Sequence, residues 1–452
     1  MSRTDHQNTI LATSIEWMDP FYDAQASLLR HPQRTDRHAV RESVWYAAGV
    51  LAQHDSARAT RALRTIDTVL GLQFDEPAAP WDGTWPRAPE EPLPPVNAVM
   101  WRDYDPNWRQ FIGCLLGVLV SDFAATLGSA RCDRAREAIG RALRGEGAGR
   151  IDAGYSNIAL LQAWLLSEYG DRVAGERLAA AIEDLYRIEL GFREFNSPTY
   201  YGIDLWGLAL WRRSGSPRLA HAGQRLEADL WRDIGDFYHS GLRNLCGPYD
   251  RAYGMDMTRY AALLGLWLWW GCGDATRAFP DTAQPFGHAH DFCATPLLAL
   301  APPLIPEDAS AALTRSFANR SFERRMPSRT VTATLRRELM LGAVDPARLD
   351  PSGQAGPITA HWLDAARGVA WLCIRGVLGG TVADTTIALH GDAELLLECS
   401  VSATNTLRER VWQIGDRRID VTGIDLSAPE LHGDRLRARL VLPSGAGRLV
   451  LG

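Results

Sequence analysis

The first two thirds of the chain repeat a helical hydrophobic period. Apolar residues recur at three- and four-residue spacing over 37–53, 56–73, 107–127, 130–144, 155–168, 171–192, 198–213, 216–238 and 256–271, so each of these segments is expected to be a helix. The segments alternate in character. Phe111–Val120 and Tyr260–Trp270 are apolar on every side, whereas ARATRALRTIDTVL (57–70) and RCDRAREAIGRAL (131–143) carry a charged face. A helix that is apolar all round is enclosed by another layer. The odd-numbered segments are therefore expected as an inner ring and the even-numbered ones as an outer ring of stacked helical hairpins.

Past about residue 310 the period changes. Arg329–Leu341, Gly368–Val377, Thr385–His390, Glu394–Val401, Arg408–Ile414 and Arg435–Leu442 alternate or run apolar, with Gly-Asp and Pro-Ser-Gly turns between them. That pattern predicts an antiparallel β-sandwich. The expected class is α+β: a toroid of five or six helical hairpins over residues 1–310, then the sandwich over 311–452. Pro86–Pro95 reads as a stiff loop between the second and third helices. The Gly-rich run Gly145–Gly149 lacks a preceding strand, so it is a turn and not a dinucleotide fingerprint.

Four segments that open the inner helices hold the unusual residues. Asp105-Pro106-Asn107-Trp108-Arg109 opens the third, with Asp105 as the expected N-cap, and Asp152–Asn157 opens the fifth. Phe195–Tyr201 opens the seventh, with Ser197 as N-cap, and Gly247–Asp256 opens the ninth. In a series of antiparallel hairpins every odd helix points the same way, so all four clusters are expected on one rim. Trp85 and Trp101, in the long loop before the third helix, are expected on the same rim.

Composition narrows the chemistry. All 48 basic residues are Arg, which excludes a lysine Schiff base, a Walker-type phosphate loop and a lysine general base. A net charge of −6 makes nucleic acid a poor default partner. The seven cysteines are scattered without a CxxC pair, so neither a zinc ribbon nor a disulfide framework is indicated. No apolar run approaches the roughly 20 residues needed to cross a bilayer, and the N-terminus lacks an export pattern. A cytoplasmic protein without membrane contact is expected.

The ring of hairpins, Asn196 with Tyr200 and Tyr201, and Arg251 with Tyr253-Gly254 together resemble the six-hairpin, or (α/α)-toroid, superfamily of carbohydrate-active enzymes. The branch with a β-sandwich after the toroid, which holds alginate, heparin and hyaluronate lyases, is the one most resembled. The resemblance implies β-elimination across a uronic acid, with Asn196 or Arg251 neutralising the carboxylate and a tyrosine moving the proton. Tyr253 is the leading base and acid, with Tyr200 and Tyr201 as alternates. A phenol has an ordinary pKa near 10, which a neighbouring guanidinium would lower. Trp85, Trp101, Asp105, Trp108, Arg109, Asp152, Asn157, Asp204, His288 and His290 are the expected substrate contacts. Neither a cofactor nor a metal is expected: His288-Ala289-His290-Asp291 could offer metal ligands, but no third ligand pair stands at the usual spacing, so the loop Gly287–Phe292 reads as structural. Such lyases often add a histidine base, which neither tyrosine cluster contains, and the missing export pattern points either to a small imported oligosaccharide as substrate or to a diverged activity.

Three other readings compete. A glycoside hydrolase on the same ring would need paired carboxylates, for which Asp250 and Asp152 are the better candidates and Asp105, Asp204 and Asp256 lie nearby. Sixteen tryptophans would equally suit an isomerase, dehydratase or cyclase acting on an apolar small molecule. A sugar-binding protein without turnover is the fourth.

Overall fold

A computed structural model describes residues 3–348, 353–376, 379–391, 395–402, 404–408 and 410–452. The turn residues Pro351, Ser352 and Asp392, and Val377, Glu394 and Glu409 of the expected strands, lie outside the described residues. The class is α+β.

Helices form where the 3.6-residue period places them: Val40–Ala52, Ser56–Gly71, Trp108–Asp122, Ser129–Gly145, Ser156–Tyr169, Arg172–Glu189, Tyr201–Arg212, Pro217–Phe237 and Leu263–Cys272. The last begins seven residues later than expected. Asp256 there accepts from the backbone N–H (2.9 Å) and hydroxyl (2.6 Å) of Thr258, closing a turn that ends before the helix starts. A further helix, Asp5–Met18, opens with a capping box in which the Thr4 hydroxyl and the Gln7 side chain each accept from the other residue's N–H. A three-stranded antiparallel meander (Tyr22–Asp23, Leu28–His31, Arg34–Ala39) follows it.

The chain divides into two compact units, each assembled from separate stretches. Met1–Leu185, Ile203–Ala228 and Thr282–Leu304 form one; Tyr186–Gly202, Asp229–Asp281 and Ile305–Gly452 form the other. The first is helical. Val40–Ala52, Trp108–Asp122 and Ser156–Tyr169 are buried at nearly every position, whereas Ser56–Gly71 and Ser129–Gly145 bury one face only. Gly117 lets two of the enclosed helices approach closely, since a Cβ there would lie 2.7 Å from the Tyr169 ring and 2.9 Å from Trp164.

The second unit carries the sheets. A nine-stranded antiparallel sheet runs in spatial order Asp425–Leu426, Arg435–Val441, Leu395–Ser400, Gly368–Arg375, Ile358–Asp364, Leu339–Asp345, Arg329–Arg336 and Arg320–Met326, with Glu430–His432 also on Arg435–Val441. A six-stranded antiparallel sheet holds Gly379–Ala383, Thr386–His390, Ala446–Leu451, Arg417–Thr422, Val411–Ile414 and Thr406–Arg408. Leu341, Trp362 and Leu372 of the first sheet share one apolar core with Ile387, Trp412 and Leu449 of the second. Arg329–Leu341, expected as one strand, is broken at Arg337-Glu338 into two strands of a hairpin. Among the described residues, no helix is long and apolar enough to cross a membrane.

Two histidines of this unit are fully buried. His239 stacks on Phe317 at 4.0 Å, donates from Nε2 to the Arg336 carbonyl (2.7 Å) and accepts at Nδ1 from Leu242 N–H. His361 contacts the Met255 carbonyl through Nε2 at 2.8 Å. Burial lowers both imidazoles from 6.5 to about 4, so each is held neutral. Because the unfolded chain binds these protons at higher pH, stability falls as the pH drops from 6.5 toward 4. The loss is on the order of 2–3 kcal/mol per histidine. Urea midpoints measured across that range check this, and His361→Gln is expected to flatten the profile. A flat wild-type profile would mean the imidazoles are not held neutral.

Candidate active site

The four helix-opening clusters meet in two pairs. In the helical unit Asn107 donates to the Tyr155 hydroxyl at 2.6 Å and accepts from Arg150 at 2.7 Å, joining the first cluster to the second. In the β-bearing unit the third and fourth interlock. Ser197 donates its hydroxyl to the Arg251 carbonyl (2.5 Å), and Phe195 N–H donates to Asp250 (3.2 Å). The fourth cluster is seated on the sheet by Gly342, where a Cβ would collide with the Gly247 carbonyl.

This interlock builds a group of one guanidinium and two phenols. The hydroxyls of Tyr200 and Tyr253 are in direct hydrogen-bond contact, their rings 5.7 Å apart. The Arg251 guanidinium lies over the Tyr200 ring, 4.1 Å from its centroid. It is held there by Glu194 Oε1 (2.7 Å) and Gln354 Oε1 (2.9 Å). Burial pushes the Tyr200 phenol well above its ordinary value, and the nearby Tyr253 adds to the shift. The Arg251 charge opposes that shift without overcoming it, so Tyr200 stays protonated. Arg251 also lines a cavity of about 180 Å³ with Arg193, Arg348, Glu194 and Asp250.

The neighbouring residues have other duties. Asn196 is 1% exposed and donates both N–H groups, to the carbonyls of Cys246 (2.7 Å) and Pro248 (2.9 Å). Neither is left for a substrate carboxylate. Tyr201 is buried, and its hydroxyl accepts from the Asn196 N–H at 2.6 Å. Asp250 is paired with Arg329 (2.8 Å) and lies 3.5 Å from Arg348.

A second chemical cluster occupies the helical unit. Here His31, His38, Arg41, Glu42, Asp105, Trp108 and His290 line a cleft of about 340 Å³. Arg41 lies over Trp45 (4.5 Å), Phe111 (5.3 Å) and Trp108 (5.6 Å), and its Nε donates to Glu42 at 3.0 Å. Burial alone would raise the Glu42 carboxyl, but the Arg41 charge outweighs it and holds the group ionised. Asp105 is raised by burial, and Asp291 is pushed up to about 6 by the same cause. Burial lowers His31, His288 and His290, so all three favour the neutral form. His288, His290 and Asp291 each place a ligating atom within 4.8 Å of the others, a set that suits a metal ion.

The remaining sequence-named residues are dispersed. Trp85 is fully buried and donates its indole N–H to the Val69 carbonyl (2.8 Å), whereas Trp101 is half exposed. Arg109 is buried, donates to the carbonyls of Asp82 and Pro80, and borders a separate cavity of about 610 Å³ with Glu146 and Arg150. Asp152 closes a turn onto the N–H groups of Gly154 and Tyr155, and Asn157 and Asp204 are buried. Asp105 accepts from Asn107 N–H (2.9 Å) one turn ahead of the helix, which starts at Trp108. Sequence reasoning missed His31, Arg41, Glu42, Glu194 and Gln354. The one signal available for Arg41 and Glu42 was their position inside an otherwise apolar helix.

Asn196 gives a direct test of structural against chemical duty. Asn196→Ala removes two buried hydrogen bonds and forces alanine into a left-handed conformation (φ 52°). A loss of about 3 kcal/mol in urea denaturation is expected. Unchanged stability with lost turnover would return Asn196 to the chemistry.

Comparison with known proteins adds the following. An X-ray structure of the Streptomyces coelicolor A3 chondroitin AC lyase in complex with chondroitin sulphate aligns with 98% of this chain and 79% of that one, at 12% identity and a TM-score of 0.47. No curated protein matches the chain. The model of the family described as Domain of unknown function (DUF8769) matches residues 8–303, well over half of the sequence, and the chain belongs to that family.

Proposed function

We propose that this protein is a carbohydrate-active lyase that cleaves a uronic-acid-containing oligosaccharide by β-elimination. The proposal includes the (α/α)-toroid arrangement for residues 1–310 and the β-sandwich for 311–452. The observation that carries it is the contact between the Tyr200 and Tyr253 hydroxyls beside the clamped Arg251.

Elimination needs a group that removes the proton alpha to the carboxylate and a positive charge that stabilises the carbanion-like transition state. It also needs a proton for the departing glycosidic oxygen. In our reading the Tyr253 oxygen takes the C5 proton, the C5–H electrons become the C4=C5 double bond, and the C4–O bond breaks. Tyr253 then returns the proton to the leaving oxygen. Tyr200, kept neutral by burial, donates a hydrogen bond that stabilises the Tyr253 phenolate. Arg251 supplies the fixed charge. The cavity beside it has three guanidinium groups (Arg193, Arg251, Arg348) against two carboxylates (Glu194, Asp250), a lining suited to an anionic sugar.

One observation favours a second reading. Asp105, raised by burial, lines the same cleft as Glu42, which is held ionised by Arg41. Two carboxyls shifted in opposite directions, one toward the acid form and one held ionised, suit the acid and base roles of glycoside hydrolysis. Asp250, by contrast, is tied to Arg329.

The test is Tyr253→Phe, assayed on uronate oligosaccharides by the ultraviolet absorbance of the conjugated double bond. A drop in kcat of about 10²–10⁴-fold with an unchanged Tm is expected. Full activity in this variant sinks the lyase reading. Activity that instead disappears in Asp105→Asn, yielding new reducing ends and no absorbance, transfers the chemistry to the cleft.

A further inference from the structure

The turn Ala289–Ala294 and the residue before it bring His288, His290 and Asp291 together in the helical unit. His290 Nε2 lies 3.5 Å from Asp291 Oδ1, and His288 Nδ1 lies 3.9 Å from Asp291 Oδ2. Both are long for hydrogen bonds. They match the edge of a coordination shell, because ligand atoms at about 2.1 Å from a tetrahedral ion are roughly 3.4 Å apart.

The partner of His290 adds an independent observation. Its Nδ1 meets Gln33 Oε1 at 3.2 Å. The amide oxygen only accepts, which assigns the proton to Nδ1 and leaves a lone pair on Nε2. That lone pair faces the Asp291 carboxylate oxygen, an arrangement that a cation between them resolves. A ligating histidine whose other N–H is held by an oxygen is the usual outer-shell pattern of protein metal sites. His288 is held at φ 52°, a conformation that a non-glycine side chain adopts at some cost and that delivers its ring to the cluster.

We propose that His288, His290 and Asp291 bind one divalent first-row transition-metal ion, zinc or a metal of similar preference. Two imidazoles and one carboxylate select such an ion over magnesium or calcium, which take oxygen ligands. Three protein ligands leave a coordination position for water or a substrate oxygen. His290 is also part of the wall of the 340 Å³ cleft. The inference stands apart from the lyase reading and survives its failure.

The experiment uses tag-free full-length protein, stripped with chelator and titrated with Co²⁺ and Zn²⁺. Calorimetry gives the stoichiometry and the visible cobalt bands report the ligand field. One equivalent is expected, with no response to Mg²⁺. His288→Asn keeps a residue tolerant of the left-handed conformation and is expected to weaken binding at least 100-fold. Gln33→Leu, at an exposed position, tests the outer shell without touching a ligand, and a loss of about 10–100-fold is expected. Absence of stoichiometric binding overturns the proposal, as does wild-type affinity in both variants. Should His288→Asn fail to fold, the Gln33→Leu titration decides alone.

Discussion

The Arg251 guanidinium organises the candidate site. Glu194 and Gln354 hold its edge, and Tyr200 covers its face. The contacts come from two distant stretches: Glu194 and Tyr200 from the segment before one helix, Gln354 from the loop after a strand. A fixed cation at this point lets two phenols share a hydrogen bond with unequal roles. Burial keeps Tyr200 protonated, and in the proposed mechanism the proton exchange falls to its hydrogen-bond partner, the Tyr253 hydroxyl. Two phenols in water would show no such division.

The same logic of one arginine fixing the charge state of its neighbours recurs in the helical unit. Arg41 is enclosed by Trp45, Trp108 and Phe111, where an unpaired charge would be very expensive. Glu42 answers it and stays ionised, while at Asp105 burial outweighs the pull of Arg41, Arg87 and Arg150 and raises the carboxyl. A chain without lysine suits such sites. Guanidinium groups stack on aromatic faces and keep their charge when buried.

Helix positions were legible because a 3.6-residue period survives in any sequence that buries one face. The enclosed helices Trp108–Asp122 and Ser156–Tyr169 were legible too, because they have almost no polar face to hide. The meander over residues 22–39 was not, since strands as short and exposed as Arg34–Ala39 carry no alternation. For the site, proximity in sequence was a partial guide. It found Arg251 beside Tyr253, and helix parity brought the tyrosine clusters together. Glu194 and Gln354 carry no local signature, and their contacts depend on how a turn and a loop pack. Asn196 shows the opposite limit: an amide is a natural carboxylate ligand, but its left-handed backbone points both donors at neighbouring carbonyls.

The central claim is that Tyr253, with Tyr200 and Arg251, drives elimination and not hydrolysis. Mass spectrometry of the products from a defined uronate oligosaccharide tests it most directly. Elimination divides the substrate without adding water, so the fragment masses are predicted to sum to that of the substrate. Fragments whose masses sum to the substrate plus one water would contradict the account and place the chemistry on carboxylates.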